Sequence, residues 1–225
     1  MAANAAGTIV YSSLASANEI RAWGITQPAV TASPAAPTAP ALSWTAGGTG
    51  GPGTGDGTRG VAQLNDPRGL AVDPVTRELV VSGFASGVVS RVSLVGRVNT
   101  FAGSAPGHND AVTLAAQFNM PFGLDVDAAG TTYVGEQAHR VRQISAAGSV
   151  STIGGDGTQG YREKLTSGAA DSQWCEPHHT AVLGATTVFV TDDYRVRSVN
   201  IADGVTALRA GNTAAGCGDV TSLPT

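Results

Sequence analysis

Apolar positions in this chain fall in short runs rather than in long helical stripes. Gly69-Leu70-Ala71-Val72, Leu79-Val80-Val81 and Val88-Val89-Ser90-Arg91-Val92 are each cut off by Gly, Pro, Asp or Asn, which is the pattern of strands joined by tight turns. Connections such as Asp127-Ala128-Ala129-Gly130, Ala146-Ala147-Gly148 and Ala202-Asp203-Gly204 carry the residues that hairpin turns require.

The runs repeat. Gln63-Leu64-Asn65-Asp66-Pro67-Arg68-Gly69-Leu70-Ala71-Val72-Asp73, Gln117-Phe118-Asn119-Met120-Pro121-Phe122-Gly123-Leu124-Asp125-Val126-Asp127 and Gln173-Trp174-Cys175-Glu176-Pro177-His178-His179-Thr180-Ala181-Val182-Leu183 align, with prolines at 67, 121 and 177 and so a spacing of 54 and then 56 residues. Each copy continues through a second and a third run and closes on a fourth before glycine, at Gly103, Gly154-Gly155 and Gly211. A partial copy precedes them: Gly7 to Ser12 and Asn18 to Trp23 match the second and third runs, with no first run visible. Four short strands per unit at this period predict an all-β fold, a β-propeller of four-stranded antiparallel blades. The expected blades are 7–47 (incomplete), 63–103, 117–155 and 173–211, within a single unit covering 1–225. Residues 28–41, rich in Pro and Ala, are expected to form a loop inside the first blade.

Within each blade the first strand is expected to lie innermost. Gly69 and Gly123 then mark places where a neighbouring backbone comes close. Pro67, Pro121 and Pro177 stand just ahead of that strand, where a missing amide breaks no ladder bond.

The stretches Ala62 to Asp73 and Ala116 to Asp127 resemble NHL repeats, and His139-Arg140-Val141-Arg142-Gln143-Ile144 is similar to the third strand of that family. The resemblance covers residues 7–23 and 44–211. It implies a propeller with more blades than the chain supplies, so the expectation is a segment of a larger propeller, or one completed by association with another chain. Unclosed, it exposes blade faces and strand edges.

Composition adds exclusions. The net charge of -4 offers no cationic field to capture phosphate, so nucleic acid is not an expected partner. No apolar run is long enough for a membrane span. The start of the chain lacks the basic segment of a secretory signal, and the compartment stays open. Cys175 and Cys217 are either one bridge or two buried thiols.

Candidate chemistry is sparse. Gly48-Thr49-Gly50-Gly51-Pro52-Gly53 matches the dinucleotide fingerprint by letters only, since no helix begins within it. Asp56, Asn109-Asp110, Asp156 and Asp219 recur without the alternation of a calcium loop and are expected to shape turns. Arg91, Arg140, Arg142, Arg195 and Arg197 are expected to pair structurally with carboxylates such as Glu136, Asp192 and Asp193. Neither a nucleophile elbow nor a cysteine in a catalytic setting is present, and no cofactor is implied.

The residues after the three prolines, Arg68, Phe122 and His178, occupy equivalent places at the mouth of the expected channel, where chemical variety suits a binding site. The function expected is therefore non-enzymatic binding of a protein or peptide at that mouth. The alternative is a metal-dependent (zinc or calcium) lyase or hydrolase of the NHL-propeller type: the resemblance makes His178 similar to a zinc ligand of peptide-amidating lyases. Arg68 and Phe122 fill the matching places, so the remaining ligands of that alternative would lie outside this chain.

Overall fold

A computed structural model describes residues 1–3, 9–24, 41–47, 51–167, 171–211 and 217. Most of the Pro/Ala-rich stretch and Asp219 lie outside the described residues, while Ala41 opens a strand. Among the described residues, sixteen strands form four antiparallel sheets. Blade 1 holds β1 (Ala2–Ala3), β2 (Ile9–Leu14), β3 (Glu19–Gly24) and β4 (Ala41–Gly47); blade 2 holds β5 (Pro67–Val72), β6 (Leu79–Gly83), β7 (Val88–Val92) and β8 (Val98–Ala102). Blade 3 holds β9 (Pro121–Val126), β10 (Thr132–Glu136), β11 (Arg140–Ile144) and β12 (Val150–Gly154); blade 4 holds β13 (Pro177–Leu183), β14 (Thr187–Asp192), β15 (Arg195–Asn200) and β16 (Thr206–Gly211). In every sheet, chain neighbours are sheet neighbours, and the fold is that of β-propeller blades.

Blade 1 departs from expectation by having a first strand. It is a stub, Ala2 and Ala3 pairing with Tyr11 and Val10. Two alanines carry no alternation by which a strand could be read.

The apolar core is divided among the joints between blades. Val80, Val89 and Ala102 of blade 2 pack with Phe118, Leu124, Val134 and Ile144 of blade 3 and its leading loop. Leu79 and Val81, on the opposite side of β6, pack with Tyr11, Ile20 and Ala46 of blade 1. Tyr133 and Val141 of blade 3 meet Trp174, Val188 and Val190 in the third joint. A strand covered on both faces reads as a continuous apolar run instead of an alternating one, which is why β6 is buried at all five positions.

Close backbone approach sets the joints. A β-carbon on Gly69 would lie 2.4 Å from the Phe122 carbonyl oxygen, and one on Gly123 would lie 2.6 Å from His179 Cα. A hydroxyl near the end of the second strand then ties blade to blade. Ser13 Oγ donates to Arg68 O at 3.0 Å, and Ser82 Oγ donates to Phe122 O while accepting from Gly69 N. At the third joint Gly135 replaces the serine, leaving a gap that the His178 carbonyl fills.

Among the described residues, one face of the first strand of blade 4 is left uncovered. Along β13, His179, Ala181 and Leu183 are exposed while the alternate positions are half-buried.

Candidate functional site at the blade mouth

The three prolines are buried at the start of β5, β9 and β13. They pair with Gly83, Glu136 and Asp192, the last residues of the second strands, and the register shifts in this first stretch of each pair. A bulge re-aims the side chain it carries. Here the shift spans the residue after Pro67 and Pro177, and Arg68 and His178 leave the ladder at the same corner as Phe122.

The turn after the second strand closes the corner. Phe84 N, Gln137 N and Asp193 N donate to the carbonyls of the pre-proline residues Asp66, Met120 and Glu176. Asp66 and Met120 hold positive φ, 51° and 53°. Non-glycine residues rarely occupy that region.

Arg68, Phe122 and His178 come together in one continuous stack. The Arg68 guanidinium lies 4.1 Å from the Phe84 ring centroid and 5.1 Å from that of Phe122. Phe122 is the hub: Phe84 meets it edge-on at 5.9 Å and 88°, His178 at 4.7 Å and 66°, and His179 at 5.3 Å and 75°. Such edge-to-face pairs contribute about 0.5–1.5 kcal/mol each beyond area burial, which favours the stacked arrangement.

Charges flank this apolar centre. Asp66 takes Arg68 in a two-pronged pair, at 3.1 and 2.9 Å. Glu176 lies 3.8 Å from His178 Nε2 and accepts from Gln137 Nε2 at 3.2 Å. Although His179 is exposed as a residue, its ring packs against Phe122; the resulting loss of hydration, with His178 and the chain's amino terminus, holds the imidazole below its ordinary range, which favours the neutral ring at neutral pH.

Phe84 and Glu176 were not anticipated as parts of this corner. Aligning the turn after each second strand, where Phe84, Gln137 and Asp193 correspond, would have found Phe84. Glu176 is visible from the acid–Pro–base pattern it shares with Asp66-Pro67-Arg68.

The recurring arginines are structural. Arg142 is wholly buried and binds Glu136 at 3.0 Å and Asp110 at 2.5 Å. Arg197, also buried, binds Asp192 at 2.9 Å and Glu163 at 3.0 Å, and Arg91 reaches Asp73 at 3.4 Å. Asp110, Glu163 and Asp73 come from loops and strand ends outside the expected partners. Arg140 instead donates to the Asp156 carbonyl, and Arg195 to the sulfur of Cys175.

Two of the recurring aspartates do more than shape turns. Asp56 accepts from Thr100 N and Oγ1, and Asp110 from Thr152 N and Oγ1. Each fastens the loop leading into a blade onto that blade's outermost strand. Asp156 does cap its own turn, through Thr158 N.

Among the described residues no group of three or more His, Cys, Asp or Glu side chains is placed to hold a metal ion. His139 contacts the Cys175 carbonyl and His108 contacts Asn119, both away from the Phe122 stack. A cleft of about 370 Å³ lies between the outer strands of blades 3 and 4, lined in part by Gln143, Thr152, Lys164 and Asp171. Its one cation, Lys164, is paired with Asp171 at 3.2 Å.

No known family profile and no curated protein matches the sequence. Solved structures do match in fold. A protein of unknown function from Bacteroides thetaiotaomicron aligns with TM-score 0.63 and 16% identity, over 85% of this chain and 43% of its own. Hydrazine synthase of Kuenenia stuttgartiensis aligns with TM-score 0.56 and 13% identity, over 94% and 49%. An auxiliary nutrient binding protein, also from Bacteroides thetaiotaomicron, aligns with TM-score 0.50 and 20% identity, over 60% and 33%. The chain spans less than half the length of each of these, and at such identity the likeness is one of fold alone.

Proposed function

We propose that the chain is an NHL-type propeller module that binds a protein or peptide partner at the mouth formed by Arg68, Phe122 and His178. The observation that carries this reading is the stack itself: three chemically different side chains at equivalent places in successive blades converge on one partly exposed aromatic hub, Phe122. An apolar centre between the acid–base pairs Asp66–Arg68 and Glu176–His178 suits an extended peptide that places one apolar side chain over Phe122 and polar groups to either side. Rigid aromatic anchors and arginine are the residue types that dominate such interfaces.

The test is a displayed peptide library selected on the native chain and, in parallel, on Arg68→Ala/Phe122→Ala/His178→Ala. Peptides that bind the native chain and not the triple variant, whose fold is checked by circular dichroism, support the reading. Equal binding to both places the site elsewhere.

The mouth also carries two adjacent imidazoles, His178 and His179, beside Glu176. These support the second reading, a metal-dependent lyase or hydrolase completed by ligands from other blades. Stoichiometric zinc or calcium in the purified protein would favour it over the first.

The uncovered face of β13 supports a larger or oligomer-completed propeller. Thr191 stands where Ser13 and Ser82 stand, and accepts from His179 N at 3.0 Å as Ser82 does from Gly69 N. His179 replaces the glycine of the earlier joints, so a following blade seats less closely there. Light scattering that returns a stable folded monomer of 22.5 kDa would count against association.

A further inference from the structure

Cys175 and Cys217 form a disulfide between residues 42 positions apart. Its two sulfurs sit in unlike surroundings. Cys175 is 1% exposed, whereas Cys217 is only half-buried. The buried Arg195 points Nη1 at the Cys175 sulfur from 3.6 Å, and its guanidinium is seated over the Tyr161 ring, 4.2 Å from the centroid.

We infer that this disulfide is a thiol-exchange site, opened by attack at Cys217 with Cys175 as the leaving group. A thiolate is stabilised by a neighbouring fixed cation, and the better-stabilised sulfur leaves faster. Arg195 stays charged at any relevant pH, so charge developing on Cys175 Sγ meets a guanidinium already in place. Cys217 is the less buried of the two residues, and its sulfur is the one an incoming thiolate attacks.

The chemistry balances with a small thiol as co-reactant. An external thiolate bonds to Cys217 Sγ, the Cys175–Cys217 bond breaks, and its electron pair leaves on Cys175 Sγ. A second external thiolate then attacks the small-thiol sulfur of the mixed disulfide, releasing Cys217 thiolate and an oxidised small-molecule disulfide.

Backbone contacts hold the leaving group where it is needed for closure. Cys175 N and Glu176 N both donate to Asp192 Oδ1 at 2.8 Å, and the Cys175 carbonyl is bound by His139 Nδ1 at 2.6 Å. Opening the bond therefore leaves Cys175 in its place, immediately before the Glu176-Pro177-His178 corner of the mouth. The bond is thus built for reversible opening.

The oxidised chain, incubated under native conditions with glutathione, then acid-quenched, alkylated and peptide-mapped, tests this. Expected are glutathione on Cys217 with alkylated Cys175, and an exchange rate about threefold or more lower in Arg195→Met. Glutathione on Cys175, or an unchanged rate in the folded variant, overturns the proposal. Should Arg195→Met not fold, Cys217→Ser serves instead. Its remaining thiol should titrate by thiolate absorbance below the ordinary value of about 8.5, and titration at or above that value overturns the proposal equally.

Discussion

Arg142 donates to Glu136 at 3.0 Å with both side chains fully buried. At the equivalent places blade 2 carries Ser90 and Gly83, so that both charges are present in blade 3 and both absent from blade 2. A buried charge without its partner is far more costly than no charge at all. At pH 8, Arg142→Met alone should cost about 3–5 kcal/mol in urea unfolding. The pair Arg142→Met/Glu136→Leu should recover most of that loss, since Asp110, the other acid on Arg142, is partly exposed and keeps Thr152. Additive losses in the double variant would show that the pair is not coupled.

Glu136 also makes stability depend on pH. Burial pushes its carboxyl up to about 7 against the pull of Arg142, and its Oε2 is buried without a hydrogen-bond partner. The folded chain therefore holds this proton more tightly than the unfolded chain does. The resulting stability is fully present below the unfolded value near 4.5 and is lost as pH rises through about 7. Unfolding free energy should fall by about 3 kcal/mol between pH 4.5 and pH 8 on this account. Burial raises Asp192 as well, adding to the slope. Glu136→Gln should flatten the curve, and an unchanged slope in that variant would assign the dependence to other groups.

The joint between blades 2 and 3 should be intolerant of a single methyl group. Gly69 would place a β-carbon 2.4 Å from the Phe122 carbonyl, 2.9 Å from Ser82 Oγ and 3.0 Å from Gly123 Cα. Two of the three obstacles are backbone and cannot rotate away. Gly69→Ala should destabilise by about 1–3 kcal/mol, the usual range for overpacking, as read from the urea midpoint at constant slope. An effect below about 0.5 kcal/mol, typical of a permissive surface site, would mean that the blades separate more easily than their spacing suggests.

Much of this architecture could be seen in the chain itself. Pro67, Pro121 and Pro177 open three first strands because a proline can stand only where no ladder amide is needed, and Gly69 and Gly123 fall at the close approaches that their position implied. The convergence of Arg68, Phe122 and His178 was legible for the same reason: equivalent positions in stacked repeats are neighbours in space. Less legible was whatever depends on contacts distant in the chain. Phe84 reaches this corner from the turn after the second strand, and its repeat counterparts Gln137 and Asp193 are polar, so only an alignment of the turns themselves brings it out. Asp110 and Glu163 look like solvated loop acids until Arg142 and Arg197 are found buried beside them. The bond between Cys175 and Cys217 joins residues 42 positions apart, a pairing that spacing alone does not determine.

That bond closes a long loop around blade 4, from just before β13 to beyond β16. A cross-link acts largely by limiting the unfolded chain, and a loop of this length corresponds to about 4 kcal/mol at most in the chain-entropy account. Cys217→Ser should lower the unfolding free energy by about 2–4 kcal/mol while leaving β13 to β16 paired, because Cys175 retains its Asp192 and His139 contacts. The loss should be confined to blade 4 and to the joint where Trp174 packs with Tyr133 and Val190. Hydrogen exchange resolves it: amides of β14 and β15 should exchange faster in the variant while those of β6 and β7 hold their rates. Uniform acceleration across all four blades would show that the chain unfolds as one cooperative unit, with the bond supporting the whole of it.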